Sequence, residues 1–284
     1  MNEVIKANKK QVELLLESYG RFVDPSKVAH IKGVIKLTDC VITVYESGSI
    51  VFQGTAATEH FQEWQTVFAG SFRAHMGTDE VGTGDFFGPV VVCAAFVNTE
   101  HEAYLLKLGV GDSKGFSDQM IRTLAKAMVP LIPHRQVVLM PEYYNKLYAK
   151  YPNLNHIKAL LHNRAILELL EQTGPVPVVM DQFVHEKKYF EYLAHQRTVH
   201  KTIEFHTKAE SKFIAVAAAS ILARYYFLES WDVLERQLNQ TLPKGAGALV
   251  DAAAAPLFQR LDQEQWGHYA KLHFKNLKKI QASD

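Results

Sequence analysis

Two adjacent acids stand at the entrance of a glycine-rich stretch that runs directly into a long apolar segment. Asp79 and Glu80 precede the apolar residues 90–97, which predict a buried strand. Two carboxylates beside a tight turn with an accessible backbone suit a hard cation together with a phosphate. An ordinary hairpin with acidic turn residues has the same local pattern. The glycines that indicate the turn are Gly77, Gly82, Gly84 and Gly88.

Two further acids occur in similar contexts. Residues 176–180 form an apolar strand that ends at Asp181, so this carboxylate is expected at the carboxyl edge of a sheet, where α/β folds gather their ligand sites. Glu210 opens the long helix predicted for residues 208–237, whose small residues allow close packing on a sheet. The alternatives are a helix-capping role for Asp181 and a helix-dipole role for Glu210, worth about 0.3–1 kcal/mol.

If these four acids converge, their charges require cations. Two like charges 4 Å apart repel by about 4 kcal/mol at an effective dielectric constant near 20. Mg²⁺ or Mn²⁺ would relieve that repulsion, and two such ions can activate a water and stabilise the leaving oxygen of a phosphodiester. Because neighbouring strand residues point to opposite faces, Asp79 and Glu80 share a site only if the chain kinks there.

The 284 residues fit two domains, with small residues at 69–71 marking the boundary. The prediction is an α+β domain over residues 1–69 and a larger α/β domain over residues 72–284. The first domain is predicted to contain helices at 9–22 and 56–68 and strands at 31–37, 41–45 and 50–53. The second is predicted to contain a helix capped by Ser117, a helix at 155–171, another at 185–195, strands at 136–140 and 202–206, and a mostly helical segment at 252–280.

Period-two alternation assigns the faces of the small sheet. Lysines beside a tyrosine on its open face could hold a nucleic-acid backbone by charge and stacking, and a solvated face is the alternative. The residues expected to face the helices are Ile31, Ile35, Ile42, Val44, Ile50 and Phe52, and those expected on the open face are Lys32, Lys36, Thr43, Tyr45 and Gln53.

Composition indicates more about the cellular compartment than about the function. No apolar run reaches the roughly 18 residues of a transmembrane helix, so no membrane association is expected. Cys40 and Cys93 lie in apolar patterns without zinc or disulfide spacing, which predicts a reducing, cytoplasmic compartment. A net charge of +1 neither supports nor excludes a nucleic-acid partner. Lys271, Lys275, Lys278 and Lys279 make the carboxyl end basic, as a phosphate-contacting surface or a solvated helix face.

Two resemblances sharpen this interpretation. Residues 44–54, VYESGSIVFQG, resemble the matching hairpin of the TATA-box-binding protein, whose saddle-shaped sheet grips a duplex. The motifs GTDEVGTGD at 77–85, DSK at 112–114, VMD at 179–181 and KAES at 208–211 together resemble the type 2 ribonuclease H family, specifically its HIII branch. Thr83 and Glu210 fit that branch, where the HII enzymes usually carry Arg and Asp.

The resemblance implies a ribonuclease H-like mixed sheet flanked by helices. It implies a monomeric, magnesium- or manganese-dependent endonuclease with two ions per site, which cleaves the RNA strand of RNA–DNA hybrids to leave 5′-phosphate and 3′-hydroxyl ends. Long RNA stretches are favoured over single embedded ribonucleotides. The implied metal ligands and catalytic residues are Asp79, Glu80, Asp181 and Glu210. The substrate-binding candidates are Gly82, Thr83, Gly84, Ser113, Lys114 and Lys208, with Lys32, Lys36 and Tyr45 on the appended sheet.

Two other functions are compatible with the residues alone. One is a duplex-binding protein that uses the amino-terminal sheet and has no catalytic activity. The other is a different two-metal nuclease acting on double-stranded DNA or single-stranded RNA.

Overall fold

The computed structural model describes residues 2–26, 28–110 and 115–281. The chain forms two compact units, made by the described residues within Met1–Ala74 and Asn98–Asp112 and by those within His75–Val97 and Ser113–Asp284. The domain bounds predicted from the sequence, 1–69 and 72–284, stay a prediction. A helix inserted after residue 97 groups with the amino-terminal unit, which no local sequence pattern indicated.

The amino-terminal unit is an antiparallel five-stranded sheet with helices. Its strands are β1 (Asn2–Lys6), β2 (Val23–Asp24), β3 (Ile31–Lys36), β4 (Cys40–Tyr45) and β5 (Ser49–Gly54), and its helices are α1 (Lys9–Tyr19), α2 (Ala57–Ser71) and α3 (Thr99–Lys107). The order across the sheet is β1-β5-β4-β3-β2. Leu15 of α1 and Trp64 of α2 pack with the sheet to form the core of this unit.

Of the six residues expected to face the helices, five are confirmed and one is wrong. Ile35, Ile42, Val44, Ile50 and Phe52 are fully buried in the core.

Ile31 does not face the helices, because the register of β3 against β4 shifts between Ile31 and Gly33. Ile31 therefore pairs with Tyr45 and shares the opposite face. Lys32 and Lys36 are exposed, whereas Thr43 is only 8% exposed.

The larger unit is built on a mixed sheet. Its strands are β6 (His75–Val81), β7 (Val90–Val97), β8 (His134–Leu139), β9 (Val178–Asp181) and β10 (Ile203–His206), in the order β10-β9-β6-β7-β8. β10, β9 and β6 run parallel, and β6, β7 and β8 run antiparallel. Its helices are α4 (Asp118–Met128), α5 (Pro141–Lys150), α6 (Leu154–Thr173), α7 (Glu186–Tyr192), α8 (Ile214–Leu238), α9 (Ala248–Arg260), α10 (Gln263–Tyr269) and α11 (Lys275–Gln281).

Helices cover both faces of this sheet, which confirms the predicted fold class. α6 packs Ile157 and Ala165 against Met76 and Val92, and the residues in this core are fully buried. α8 packs against the other face of β6 and β7. The apolar character of β7 on both sides follows from this double coverage. None of the helices in the described part of the chain is long and apolar enough to cross a membrane.

Three predicted elements differ in detail. Asp79 and Glu80 lie inside β6 and not in a turn. The helix expected over residues 208–237 is divided, because residues 209–211 form a separate 3-10 turn and α8 begins at Ile214. Glu210 therefore lies outside the first turn of α8, and the predicted placement of this acid in the first turn of the long helix is wrong. The segment 252–280 contains three helices, with α9 already beginning at Ala248.

Candidate active site

The two adjacent acids point to opposite faces of the sheet. β6 pairs with β7 residue for residue from His75 to Val81 without a bulge, so the kink on which a shared site was expected to depend is absent. Gly77 lies against the backbone of α8, and Asp79, two residues further along, faces the same side. Thr78 contacts α6, and Glu80 follows it to that side. The charge of Glu80 nevertheless raises the pKa of Asp79, so the two carboxyl groups lie close together and the expectation that a shared site requires a kink is wrong.

Asp79 is held from two directions. Its Oδ1 accepts a hydrogen bond from the Glu80 backbone N at 2.8 Å, and the Ser220 side chain of α8 donates a second. Burial is the main reason that the pKa of Asp79 rises to about 7, and the charges of Glu80 and Asp181 add to it. A positive charge close to Asp79 would therefore stabilise the ionised form of its carboxyl group.

Glu80 lies among positive and hydrogen-bonding groups of α6. Its Oε1 forms an ion pair with Lys158, and the Nε2 of His162 donates to its Oε2 at 2.8 Å. The other ring nitrogen of His162 lies 2.8 Å from Thr78 Oγ1. Burial alone would raise the pKa of Glu80, but His162 and then Lys158 lower it to about 2. His162 and Lys158 thus stabilise the ionised form of Glu80.

Lys158 and His162 are residues that the sequence analysis missed. Both are buried, and His162 is fully inaccessible. Phe183 covers the pair, with the Lys158 ammonium 4.0 Å from its ring centre and the His162 ring stacked on it at 5.3 Å. A signal was present, since two polar residues four apart on the apolar side of a helix are uncommon without a buried partner.

Asp181, at the end of β9, lies beside Asp79 of the neighbouring strand β6. The parallel register of β6 and β9 ends with Thr78 opposite Met180, so Asp79 and Asp181 are the next positions on both strands. Residues opposite one another in parallel strands point to the same face. The charge of Asp181 contributes to the raised pKa of Asp79, which agrees with that placement.

Glu210 follows a residue that is bonded to Asp181. The Ala209 backbone N donates to Asp181 Oδ1 at 2.7 Å, which fixes the 3-10 turn against the end of β9. Lys208, just before it, adopts a left-handed conformation with φ of 54°. This brings the turn that carries Glu210 to the strand end where Asp79 and Asp181 lie.

The four acids offer the oxygen ligands that divalent cations prefer, but their side chains do not form a complete coordination shell. Among the residues that the structure describes, no three His, Cys, Asp or Glu side chains are grouped closely enough to hold a metal ion. Both oxygens of Glu80 are engaged by Lys158 and His162. The coordination of metal by Asp79, Glu80, Asp181 and Glu210 stays a prediction.

The glycine turn after β6 is constrained at one glycine and open at another. Gly82 has φ of +86°, and a Cβ there would lie 2.2 Å from the Pro89 carbonyl oxygen, so only glycine fits. A Cβ at Gly84 would meet nothing within 4 Å. The backbone at Gly84 is therefore accessible, and Thr83 before it is half-buried.

The remaining substrate-binding candidates are scattered. Ser113 and Lys114 lie outside the described residues. Lys208 is exposed beside the 3-10 turn. In the amino-terminal unit, Lys36 pairs with Asp24 at 3.1 Å and Tyr45 is half-buried. The substrate-binding roles of all these residues stay predictions.

A mixed sheet covered by helices, with acids at the ends of adjoining strands, defines a ribonuclease H-like α/β protein. The chain belongs to the Ribonuclease HII family, whose profile matches residues 76–277. Residues 2–71 match a domain of unknown function, DUF3378. The chain is therefore a ribonuclease H, an endonuclease that hydrolyses phosphodiester bonds.

The similarity extends along the whole chain. It is 40% identical to ribonuclease HIII of Bacillus cereus, across 97% of this chain and 96% of that protein. The crystal structure of Bst-RNase HIII in complex with Mn²⁺ matches with a TM-score of 0.74 and 36% identity, covering 100% of this chain and 99% of that one. Aquifex aeolicus RNase H3 matches with a TM-score of 0.57 and 26% identity, over 95% and 99% of the two chains.

Proposed function

We propose that the chain cleaves the RNA strand of RNA–DNA hybrids, leaving 5′-phosphate and 3′-hydroxyl ends, at a site formed by Asp79, Glu80, Asp181 and Glu210. One observation carries the proposal: Asp79 and Asp181 occupy the same register position, directly after the last pair of the parallel strands β6 and β9, and they interact electrostatically. The 3-10 turn with Glu210 is bonded to the same strand end. Such a concentration of acids suits divalent cations and the phosphodiester they would bind.

The proposed cofactor is Mg²⁺ or Mn²⁺, with two ions per site. All four side chains offer hard oxygen ligands, and a related ribonuclease HIII is known as a complex with Mn²⁺. Two bound ions supply Lewis-acid activation of a water and neutralise charge on the scissile phosphate. The pKa of Asp79, raised by burial and then by the charges of Glu80 and Asp181, supports a site that favours added positive charge.

The protein groups behind the acids orient them. Asp79 accepts hydrogen bonds from Ser220 and from the Glu80 amide. Asp181 accepts one from the Ala209 amide. Glu80 is held by Lys158 and His162. Hydrogen-bond partners of this kind hold metal-binding side chains in a defined orientation and tune their basicity. They limit the reorganisation that the acids undergo when cations and substrate bind.

Recognition of RNA is proposed for the backbone of Gly82, Thr83 and Gly84. Ribose 2′-hydroxyls both donate and accept hydrogen bonds, so an accessible backbone can distinguish RNA from DNA. The open space at Gly84 supports this role. Ser113, Lys114 and Lys208 are proposed to contact the substrate nearby. Thr83 and Glu210 support a preference for stretches of RNA over single embedded ribonucleotides.

The amino-terminal sheet is proposed to hold the hybrid through Lys32, Lys36 and Tyr45. Charge on the lysines and stacking on the tyrosine would raise affinity without taking part in bond cleavage. We further propose a monomeric enzyme in the cytoplasm. The two buried free thiols, Cys40 and Cys93, are compatible with a reducing compartment.

The test is cleavage of an end-labelled RNA–DNA hybrid with Mg²⁺ or Mn²⁺ by wild type, Asp79→Asn, Asp181→Asn and Glu210→Gln. Loss of one charged site residue is expected to lower the rate by about 100-fold or more. Glu171→Gln, at an exposed acid on α6, is the matched control and should cleave like wild type.

Duplex DNA and single-stranded RNA serve as competing substrates. Faster cleavage of either than of the hybrid would contradict the proposed substrate. Equal cutting by Asp79→Asn and wild type would contradict the proposed site.

A further inference from the structure

Lys271 lies in a position that the surrounding sequence does not predict. It lies between α10 and α11 in a stretch rich in lysines, yet it is 0% exposed. The assignment of this lysine to a basic surface is therefore wrong. Lys275 and Lys278, in the same stretch, are exposed.

The Lys271 ammonium is saturated by backbone oxygens. Its Nζ donates to the carbonyls of Asp85 at 2.7 Å, Phe87 at 3.2 Å and Gly88 at 2.7 Å. An ammonium has three N–H donors, and three acceptors use all of them. The rings of Tyr144 and Phe274 lie about it, with centres 5.9 Å and 6.0 Å from Nζ.

Keeping a lysine in this place is unfavourable. Burial lowers the pKa of Lys271 to about 7, and the charge of Asp85 opposes that shift only in part. An apolar side chain of similar volume would fill the same space without the desolvation cost. The three carbonyl contacts are what the ammonium adds to simple packing.

The carbonyls that Lys271 binds belong to the segment that leaves the glycine turn. The same segment is held by backbone hydrogen bonds, with Lys271 N donating to Phe86 O at 2.8 Å and Gly88 N donating to Tyr269 O at 3.0 Å. Phe86 N donates to Gly245 O at 2.8 Å. Residues 85–88 are thus fixed by the carboxyl-terminal part of the chain, immediately after Gly84.

We propose that Lys271 is a positioning residue that holds the Gly82–Thr83–Gly84 backbone in the conformation that meets ribose 2′-hydroxyls. Lys271 does not touch the substrate. Its ammonium binds three carbonyls of residues 85–88 on the buried side and so fixes the backbone directly after the glycine turn. This inference rests on the proposed function of the glycine turn.

The experiment compares Lys271→Met with the matched control Lys126→Met, at an exposed lysine of α4, in the full chain. Each is assayed on an RNA–DNA hybrid and on hybrids with single 2′-deoxy substitutions at the riboses flanking the cleaved bond. Wild type and Lys126→Met should show a clear penalty for the deoxy substitution. Lys271→Met should lose about tenfold in kcat/KM on the all-RNA strand and show a deoxy penalty smaller by a similar factor.

A purely structural role would lower activity on all substrates equally and leave the deoxy penalty unchanged, which would overturn the proposal. If Lys271→Met has no cooperative thermal transition, Lys271→Gln, which retains an amide donor, is tested in the same way. A smaller deoxy penalty in folded Lys271→Gln supports the proposal, and a wild-type penalty overturns it.

Failure of both variants to fold would assign Lys271 to folding alone and overturn the proposal. Failure of the proposed function is recognised separately, because wild type would then not cleave the hybrid or would show no deoxy penalty.

Discussion

Gly77→Ala tests the contact on which the site geometry depends most directly. Gly77 lies in β6 two residues before Asp79, and a Cβ there would lie 2.2 Å from Val216 N and 2.3 Å from the Ala215 carbonyl carbon of α8. Ordinary van der Waals contact begins at 3.4 Å, so α8 must retreat from β6 by about 1.2 Å, the difference between 3.4 and 2.2 Å. Both obstacles are backbone atoms, and no side-chain rotation relieves them.

This retreat should affect both stability and cleavage. Overpacking of a core typically costs about 1–3 kcal/mol, and this backbone clash should lie at the upper end. α8 also carries Ser220, which donates to Asp79. A displacement of about 1 Å at a catalytic centre can lower the rate by about 100-fold. We therefore expect Gly77→Ala to lose most of its kcat on the hybrid at temperatures where it is still folded.

The assay is steady-state cleavage at saturating metal, together with thermal unfolding followed by circular dichroism. Gly70→Ala in α2 is the matched control, because a Cβ there meets nothing within 4 Å. It should retain wild-type cleavage and gain up to about 1 kcal/mol from helix propensity. Wild-type stability and kcat in Gly77→Ala would refute the close approach of α8 to β6.

Three further predictions follow from other contacts. His162→Phe removes the hydrogen bond to Glu80 while keeping a side chain of similar volume. We expect about 10–100-fold weaker activation by Mg²⁺, measured by titrating the cleavage rate with the metal, and an unchanged titration would contradict this prediction. Lys36→Gln with Tyr45→Ala should raise KM and reduce the salt dependence of KM while kcat is kept, because a charged contact with the nucleic-acid backbone is lost; a KM equal to that of wild type would exclude the open sheet face as a substrate contact. Burial raises the pKa of Glu102 to about 7, so the folded state binds the proton more tightly and stability falls as pH rises from about 4.5 to 7. Glu102→Gln should abolish this fall in stability, which is worth about 3 kcal/mol. Hydrogen exchange of α1 and α3 measures the stability, and a variant whose stability depends on pH as that of wild type does would disprove the prediction.

The sequence predicts much of this fold because the informative patterns are local. Alternation in β4 and β5 correctly identified Ile42, Val44, Ile50 and Phe52 as buried, since the side-chain period of a regular strand is fixed. Ile31 was assigned to the wrong face because a register shift in β3 interrupts that period.

Lys271 was misassigned because its carbonyl partners lie more than 180 residues away along the chain. Lys158 and His162 were overlooked for a related reason, since the helical pattern of α6 does not identify Glu80 as their partner. Burial of a charged group is decided by its tertiary partners, and no local period records them.

The alternation of β6 gives the adjacent acids different chemistry. Asp79 projects toward α8 and Asp181, where burial and neighbouring negative charge raise its pKa to about 7. Glu80 projects toward α6, where His162 and Lys158 lower its pKa to about 2. The unbroken strand therefore gives the two acids different partners, with Ser220 and Asp181 beside Asp79 and with His162 and Lys158 beside Glu80, while the charge of Glu80 still acts on Asp79.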